Sequence, residues 1–204
     1  MSKLKYPKQE FLNLIKLDKD FDIIIKNYGF PKNHLSKPNF TTLIRIIIGQ
    51  QISRNVAEII WEKLKFNKLD NSINISLSTI EKLHQLGLSK KKSEFIFNLS
   101  IAEASNELNL NKLNKLSKKD FFDQLLCYKG IGPWTLNNYR LFALQDLDSW
   151  PGNDLALMEA IKNLKYLNKR PNYDEMNLIA MKWRPYRGAA ALLLWHFHAK
   201  TKNK

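Results

Sequence analysis

Apolar residues recur at helical spacing along almost the whole chain. In "FDIIIKNYG" the pattern stops at Gly29, which reads as the residue following a helix end, where glycine adopts a left-handed conformation at little cost. Past Pro38, Asn39 can cap "FTTLIRIIIGQ" and Ser53 can cap "RNVAEIIWEKL", because their side-chain oxygens accept first-turn N–H groups. Ser78 with Glu81 makes a capping-box pattern for "TIEKLHQLG", closed by Gly87. "KKKSEFIFNLSIAEASNEL" continues at helical spacing, and Ser117 with Asp120 opens "FFDQLLCY". Further helices are expected over about 154–168, about 173–182 and from about 185. The runs "IIIK" and "RIIIG" suit buried strands as well, but no hairpin signal joins such strands. The pattern predicts an all-α chain without internal repeats.

One stretch interrupts the helices. "CYKGIGPWTLNNY", residues 127–139, holds two of the seven glycines two positions apart, followed by Pro133 and Trp134. Gly130 and Gly132 permit positive φ and let a partner approach the backbone. Pro133 fits the first position of a helix, where its missing N–H would have had no partner. The first turn after Gly132 therefore offers N–H groups at the positive end of a helix dipole, a natural place for an anion. An ordinary helix–helix turn uses the same residues, so the hairpin alone fits either role.

Charge changes that balance. The 204 residues carry 33 Lys+Arg against 19 Asp+Glu, a formal net charge of +14. Such an excess predicts a polyanionic partner, and DNA phosphate is the natural anion for the hairpin. At 44% hydrophobic and 25% charged, the chain suits one unit or two small lobes. Cys127 is the single cysteine, which excludes an internal disulfide framework and any site of several thiolates. His34 and His84 stand alone, and His196 and His198 are two residues apart on a helix and do not face one ligand. No apolar run approaches a membrane span, and the start, "MSKLKYPKQEF", lacks the apolar core of a signal peptide. An intracellular, cytoplasmic location without a membrane partner is expected.

"LLCYKGIGPWTLNNYRLFAL" followed by "DLDSWPGNDLAL" resembles the helix-hairpin-helix DNA glycosylases, in which a G-[IV]-G hairpin precedes a helix, a loop and a catalytic Asp. "FTTLIRIIIGQQIS" (40–53) is similar to that family's I-I-x-Q-Q-I/L-S segment, and "LGLSKKKSEFIFNLS" (86–100) to its G-[LI]-S-x-x-K segment. "WRPYRGAAALLLWH" (183–196) resembles the W-R-P-[WY]-R-x-x-A segment of the 3-methyladenine DNA glycosylase II (alkylbase) branch. The four matches fall in the family's order and span about residues 38–196. They imply a two-lobed helical fold with a cleft. Residues 36–147 would form the central lobe with the hairpin, and residues 1–35 plus 148–204 the lobe carrying the catalytic Asp.

The resemblance also places chemistry. Asp154, in "PGND", matches the catalytic aspartate; a helix-capping Asp is the plain alternative, with Asn153 as another possible cap. A fixed carboxylate facing C1′ would stabilise the positive charge that glycosidic cleavage builds on the sugar. An alkylated base leaves as an already cationic group, so one carboxylate can suffice. Two residues after Gly132, where lyase-competent relatives carry a Schiff-base lysine, this chain has Trp134. Its indole can stack on a cationic extruded base for about 0.5–2 kcal/mol. Trp183 is the implied second wall of the base pocket and Tyr139 a weaker candidate, with a buried core aromatic as the alternative for Trp134 and Trp183, while Asn138 stands where some relatives carry a tyrosine. The amides of Gly130, Gly132 and Trp134 would contact phosphate. Gln51, with Ile52 next, would fill the gap left by the extruded nucleotide, the plain alternative being that Gln50 and Gln51 only cap helix ends. No cofactor is implied beyond a monovalent cation that members often hold at the hairpin. The implied function is a monofunctional glycosylase for 3-methyladenine and 7-methylguanine type lesions in double-stranded DNA, acting as a monomer. The alternatives are the same fold directed at uracil, hypoxanthine or an oxidised base, and a non-catalytic DNA-binding protein.

Overall fold

The computed structural model describes residues 6–32 and 35–202, so His34 lies outside the described residues. All regular structure among them is helical. The first seven helices are α1 (Lys8–Leu17), α2 (Asp20–Tyr28), α3 (Phe40–Gly49), α4 (Arg54–Phe66), α5 (Ser72–Ser76), α6 (Ile80–Gln85) and α7 (Lys90–Ala104). They are followed by α8 (Leu110–Leu113), α9 (Lys118–Leu125), α10 (Pro133–Phe142), α11 (Leu155–Leu164), α12 (Tyr173–Met181) and α13 (Arg187–Thr201). The isoleucine runs that also suited strands lie in α2 and α3, and none of these helices is long and apolar enough to cross a membrane.

Short polar residues set most helix starts. Asn39, Ser53, Ser89 and Ser117 each accept a first-turn amide, and Asn172 with Glu175 closes a complete capping box on α12. The start of α6 differs from the sequence expectation. Thr79, not Ser78, is the cap and accepts the Lys82 amide at 3.1 Å. Gly29 ends α2 with φ of 73°, and Gly87 follows α6 with φ of 111°.

The described chain divides into two compact units, Met1–Leu35 with Arg140–Lys204, and Ser36–Tyr139. In the first, α13 packs against α1, α2 and α11, and every residue from Gly188 to Leu194 is buried, as a helix surrounded by others requires. In the second, α7 packs against α3, α5 and α6, with Ile44, Ile47, Ile75, Leu83 and Ile96 fully buried. The division falls inside α10, after Tyr139, rather than at 147 as the motif order implied. Leu141 joins the core of the first unit, with Phe142 packed against it, and Arg140 pairs with Asp146 at 2.9 Å. The end of α10 therefore belongs with the C-terminal helices.

Candidate functional site

In the unit Ser36–Tyr139, the turn after α9 is closed by Tyr128 N–H on Leu125 O and Ile131 N–H on Tyr128 O. Gly130 has φ of 88°, and a Cβ there would collide with the Phe95 ring, so glycine is required twice over. Gly132 has neither constraint: its φ is not positive and a Cβ would meet nothing within 4 Å. Its small size only leaves the backbone approachable. The first intrahelical bond of α10 is Leu136 N–H to Gly132 O at 3.1 Å, so the amides of Trp134 and Thr135 lie ahead of the ladder, at the dipole's positive end.

The loop joining α3 to α4 belongs to the same unit. Gln50 caps the C-terminus of α3, and its Nε2 donates to Gly130 O at 2.9 Å and to Thr135 Oγ1 at 2.8 Å. Gln51 has φ of 58°, a conformation that costs a non-glycine residue about 1–2 kcal/mol. Its side chain is exposed, as is that of Ile52. Lys92, in the first turn of α7, donates from Nζ to Ile48 O at 2.8 Å and Gln50 O at 2.6 Å. Burial holds its ammonium below the usual lysine range.

In the other unit, the chain before α11 turns at Pro151–Gly152, with Asp154 N–H on Pro151 O at 2.9 Å. A Cβ on Gly152 would collide with the Trp150 indole. Asp154, not Asn153, caps α11: its Oδ1 accepts the amides of Ala156 and Leu157 at 3.0 Å each. The same oxygen accepts Trp195 Nε1–H at 3.0 Å, and the Trp195 ring stacks on Phe142 with centroids 5.7 Å apart. The preceding loop is clamped by Arg187, which grips Asp148 at 2.8 and 2.6 Å. Asp146 accepts Arg140 and Ser149. Gly188 brings the start of α13 against Leu147, whose carbonyl a Cβ would approach to 2.8 Å. Asp146 and Asp148 are thus scaffold residues of the loop.

Three proposed pocket residues lie in the interior. Trp183 is fully buried, edge-on to Phe21 and Trp150, and its Nε1 donates to Asp18 at 2.9 Å. Burial alone would raise the Asp18 pKa, but hydrogen bonds from Lys165, Trp183 and Lys182 outweigh it and hold the value at about 2. Trp183 is therefore a core tryptophan and has no ring face to offer a base. Tyr139 is also fully buried, stacked on Phe121 at 5.9 Å, and burial pushes its pKa up to about 12. Asn138 is 4% exposed and its Nδ2 bonds back to Trp134 O at 2.8 Å, so it fixes a helix turn and lines no surface. Of the four, Trp134 alone keeps partial exposure, in the first turn of α10.

The sequence pattern points to no role for Trp195, Arg187 or Lys92, and to no more than a helix cap for Gln50, which it is. Trp195 and Arg187 have partners 41 and 39 residues away. Lys92 reaches carbonyls 44 and 42 residues away, and Gln50 joins the hairpin 80 residues on.

The chain is 30% identical over 169 residues to a DNA-3-methyladenine glycosylase of Bacillus subtilis, covering 76% of this chain and 56% of that protein's length. It is 27% identical over 203 residues to the alkylbase DNA glycosidase-like protein mag2 of Schizosaccharomyces pombe, covering 96% and 95%. The structure of 3-methyladenine DNA glycosylase Mag1 from the same yeast, in complex with abasic DNA, superposes with a TM-score of 0.84 at 25% identity, covering 92% of this chain and 95% of that one. Residues 44–185 match the family model described as HhH-GPD superfamily base excision DNA repair protein, and the chain belongs to that superfamily.

Proposed function

We propose that the chain is a monofunctional DNA glycosylase that extrudes an alkylated purine from duplex DNA and hydrolyses its N-glycosidic bond, with Asp154 as the catalytic carboxylate. The observation that carries this reading is the fixing of one carboxylate oxygen by two first-turn amides and the Trp195 indole, on the aspartate that the motif resemblance matches to the family's catalytic one. Three donors converging on Oδ1 leave the carboxylate little rotational freedom, so its charge stands where sugar charge would develop without reorganising. The C1′–N bond breaks with its electron pair passing to the base nitrogen, which neutralises the cationic leaving group. Water adds at C1′ and gives up a proton to Asp154 or solvent. A resident acid is unnecessary for such a base.

Relatives named as 3-methyladenine glycosylases, one of them solved with abasic DNA, support the lesion class and the duplex partner. The hairpin amides would take a phosphate, and a monovalent cation on the carbonyls of the 129–132 turn would add charge there. Gly130 O already accepts the Gln50 amide and keeps a second lone pair for such an ion. Trp134 stands two residues after Gly132 and carries no amine, which supports hydrolysis without strand cleavage. Methylated duplex DNA incubated with the protein should release free 3-methyladenine and 7-methylguanine, detected by mass spectrometry. The strand should stay intact until alkali is added, and borohydride should trap no covalent adduct. Absence of free base would overturn the enzyme assignment, and a trapped adduct at the level of base release would overturn the monofunctional one.

A further inference from the structure

We propose that Lys92, together with the side-chain amide of Gln50, is a positioning residue for base extrusion: the pair locks residues 50–52 so that Gln51 meets the duplex in one conformation, tied to the phosphate-binding hairpin. This rests on the reading in which Gln51 fills the gap left by the extruded nucleotide. Three consecutive lysines open α7, and the first two, Lys90 and Lys91, are exposed as surface charges would be. Lys92 differs from both. Its Nζ is turned inward onto the carbonyls of Ile48 and Gln50, at the negative end of α3. A cation at the start of its own helix opposes that helix's dipole, and this one is also drawn out of water. Surface charge does not account for such a placement. Its partners do, because the C-terminal carbonyls of α3 need donors and water is partly excluded.

Those carbonyls flank the strained residue. Gln51 sits at φ of 58°, immediately after the Gln50 carbonyl that Lys92 grips. The Gln50 side chain runs the other way, onto Gly130 O and Thr135 Oγ1, the residues that bracket the first turn of α10. One loop is therefore held from α7 on its backbone and from the hairpin through its side chain. A loop left free would sample right-handed conformations and turn Gln51 elsewhere. Holding it beforehand removes an ordering cost that would otherwise fall on the extrusion step.

The test compares Lys92→Met, Gln50→Leu and Gln51→Ala on two duplexes. One carries an alkylated purine in a normal pair, and the other carries the same purine in an unpaired bulge, where no intact pair has to be opened. Lys92→Met and Gln50→Leu should each lower base release from the paired lesion about 10–100-fold, with the bulged lesion changed less than about threefold. Combining Lys92→Met with Gln51→Ala should lose no more than the worse single variant, and Lys92→Arg, which keeps the charge and donors, should recover most of the loss. Amide hydrogen exchange over residues 48–53 of the unliganded protein should quicken at least about tenfold in both variants, with α11 and α13 unchanged. Equal loss on both duplexes, or unchanged exchange at 48–53, would overturn the proposal. The exchange result holds even if the wild-type protein releases no base, an outcome that would instead sink the glycosylase reading.

Discussion

The hairpin and the aspartate turn are both short breaks between helices, yet they are built in opposite ways. At residues 127–134 the turn is shaped locally, by Gly130 in the left-handed region, Pro133 at the first helical position and turn bonds spanning three or four residues, while Phe95 and the Gln50 side chain press on it from elsewhere in the same unit. In the proposed reading, what it offers a phosphate is backbone N–H. At residues 146–157 the local elements are the Pro151–Gly152 turn and the cap of α11, and the rest comes from Arg140 of α10 and from α13 through Arg187, Gly188 and Trp195. What it offers is a side-chain charge. A binding surface that tolerates any sequence of DNA can be made from backbone, whereas a reacting group must be aimed, and aiming takes contacts from elsewhere in the chain.

The largest expected effect tests the aimed charge. Asp154→Asn keeps the capping geometry and removes the charge, so base release should fall about 10²–10³-fold or more while affinity for DNA stays within about threefold. Single-turnover kinetics beside a binding titration checks it, and near-normal release would remove Asp154 from the chemistry. The hairpin should fail through the backbone instead. Gly130→Ala adds a methyl group against Phe95 at φ of 88° and should destabilise the protein by about 2–4 kcal/mol in a urea titration. Gly132→Ala, two residues on, should cost less than about 1 kcal/mol, and any effect should appear in DNA affinity. Equal destabilisation by the two would mean that the hairpin is not set by its local backbone.

Acid sensitivity should separate the units further. The Asp18 carboxyl is held at about 2, below the unfolded value of about 3.9, so the unfolded chain binds its proton first as pH falls. Its stabilisation is complete above about pH 4 and is lost as pH falls toward 2, about 2 kcal/mol in all. Asp18→Asn should abolish that part of the pH dependence and loosen the core around Trp183. A variant whose acid titration matches the wild type would show that Asp18 does not anchor that core. The smallest effect concerns the aim itself. Trp195→Phe keeps a ring on Phe142 and removes the N–H on Asp154, so kcat should drop about tenfold with KM nearly unchanged. A KM effect alone would place Trp195 in substrate binding.

Much of the molecule was legible beforehand because its causes are short-range. Helix starts at Asn39, Ser53 and Ser117 followed from a side-chain oxygen three residues before the amide it takes, and the single slip, Ser78 for Thr79, moved a cap by one position. The hairpin, Pro133 as a first helical residue, and an aspartate at the mouth of α11 were likewise written in neighbouring residues. The sequence determined where most of these helices begin and where the chain turns, and the structure decided that Asp154 rather than Asn153 caps α11. Tertiary structure alone decided which way the aromatic rings face and whose donors meet which carbonyls. Trp134 and Trp183 read alike as pocket walls, but Trp183 is drawn inward by Asp18, 165 residues away, and by the rings of Phe21 and Trp150. Lys92 reads as one more basic residue until α3 brings two carbonyls to it. A helix fixes its hydrogen bonds within four residues, but a side chain's burial depends on segments the local sequence does not contain.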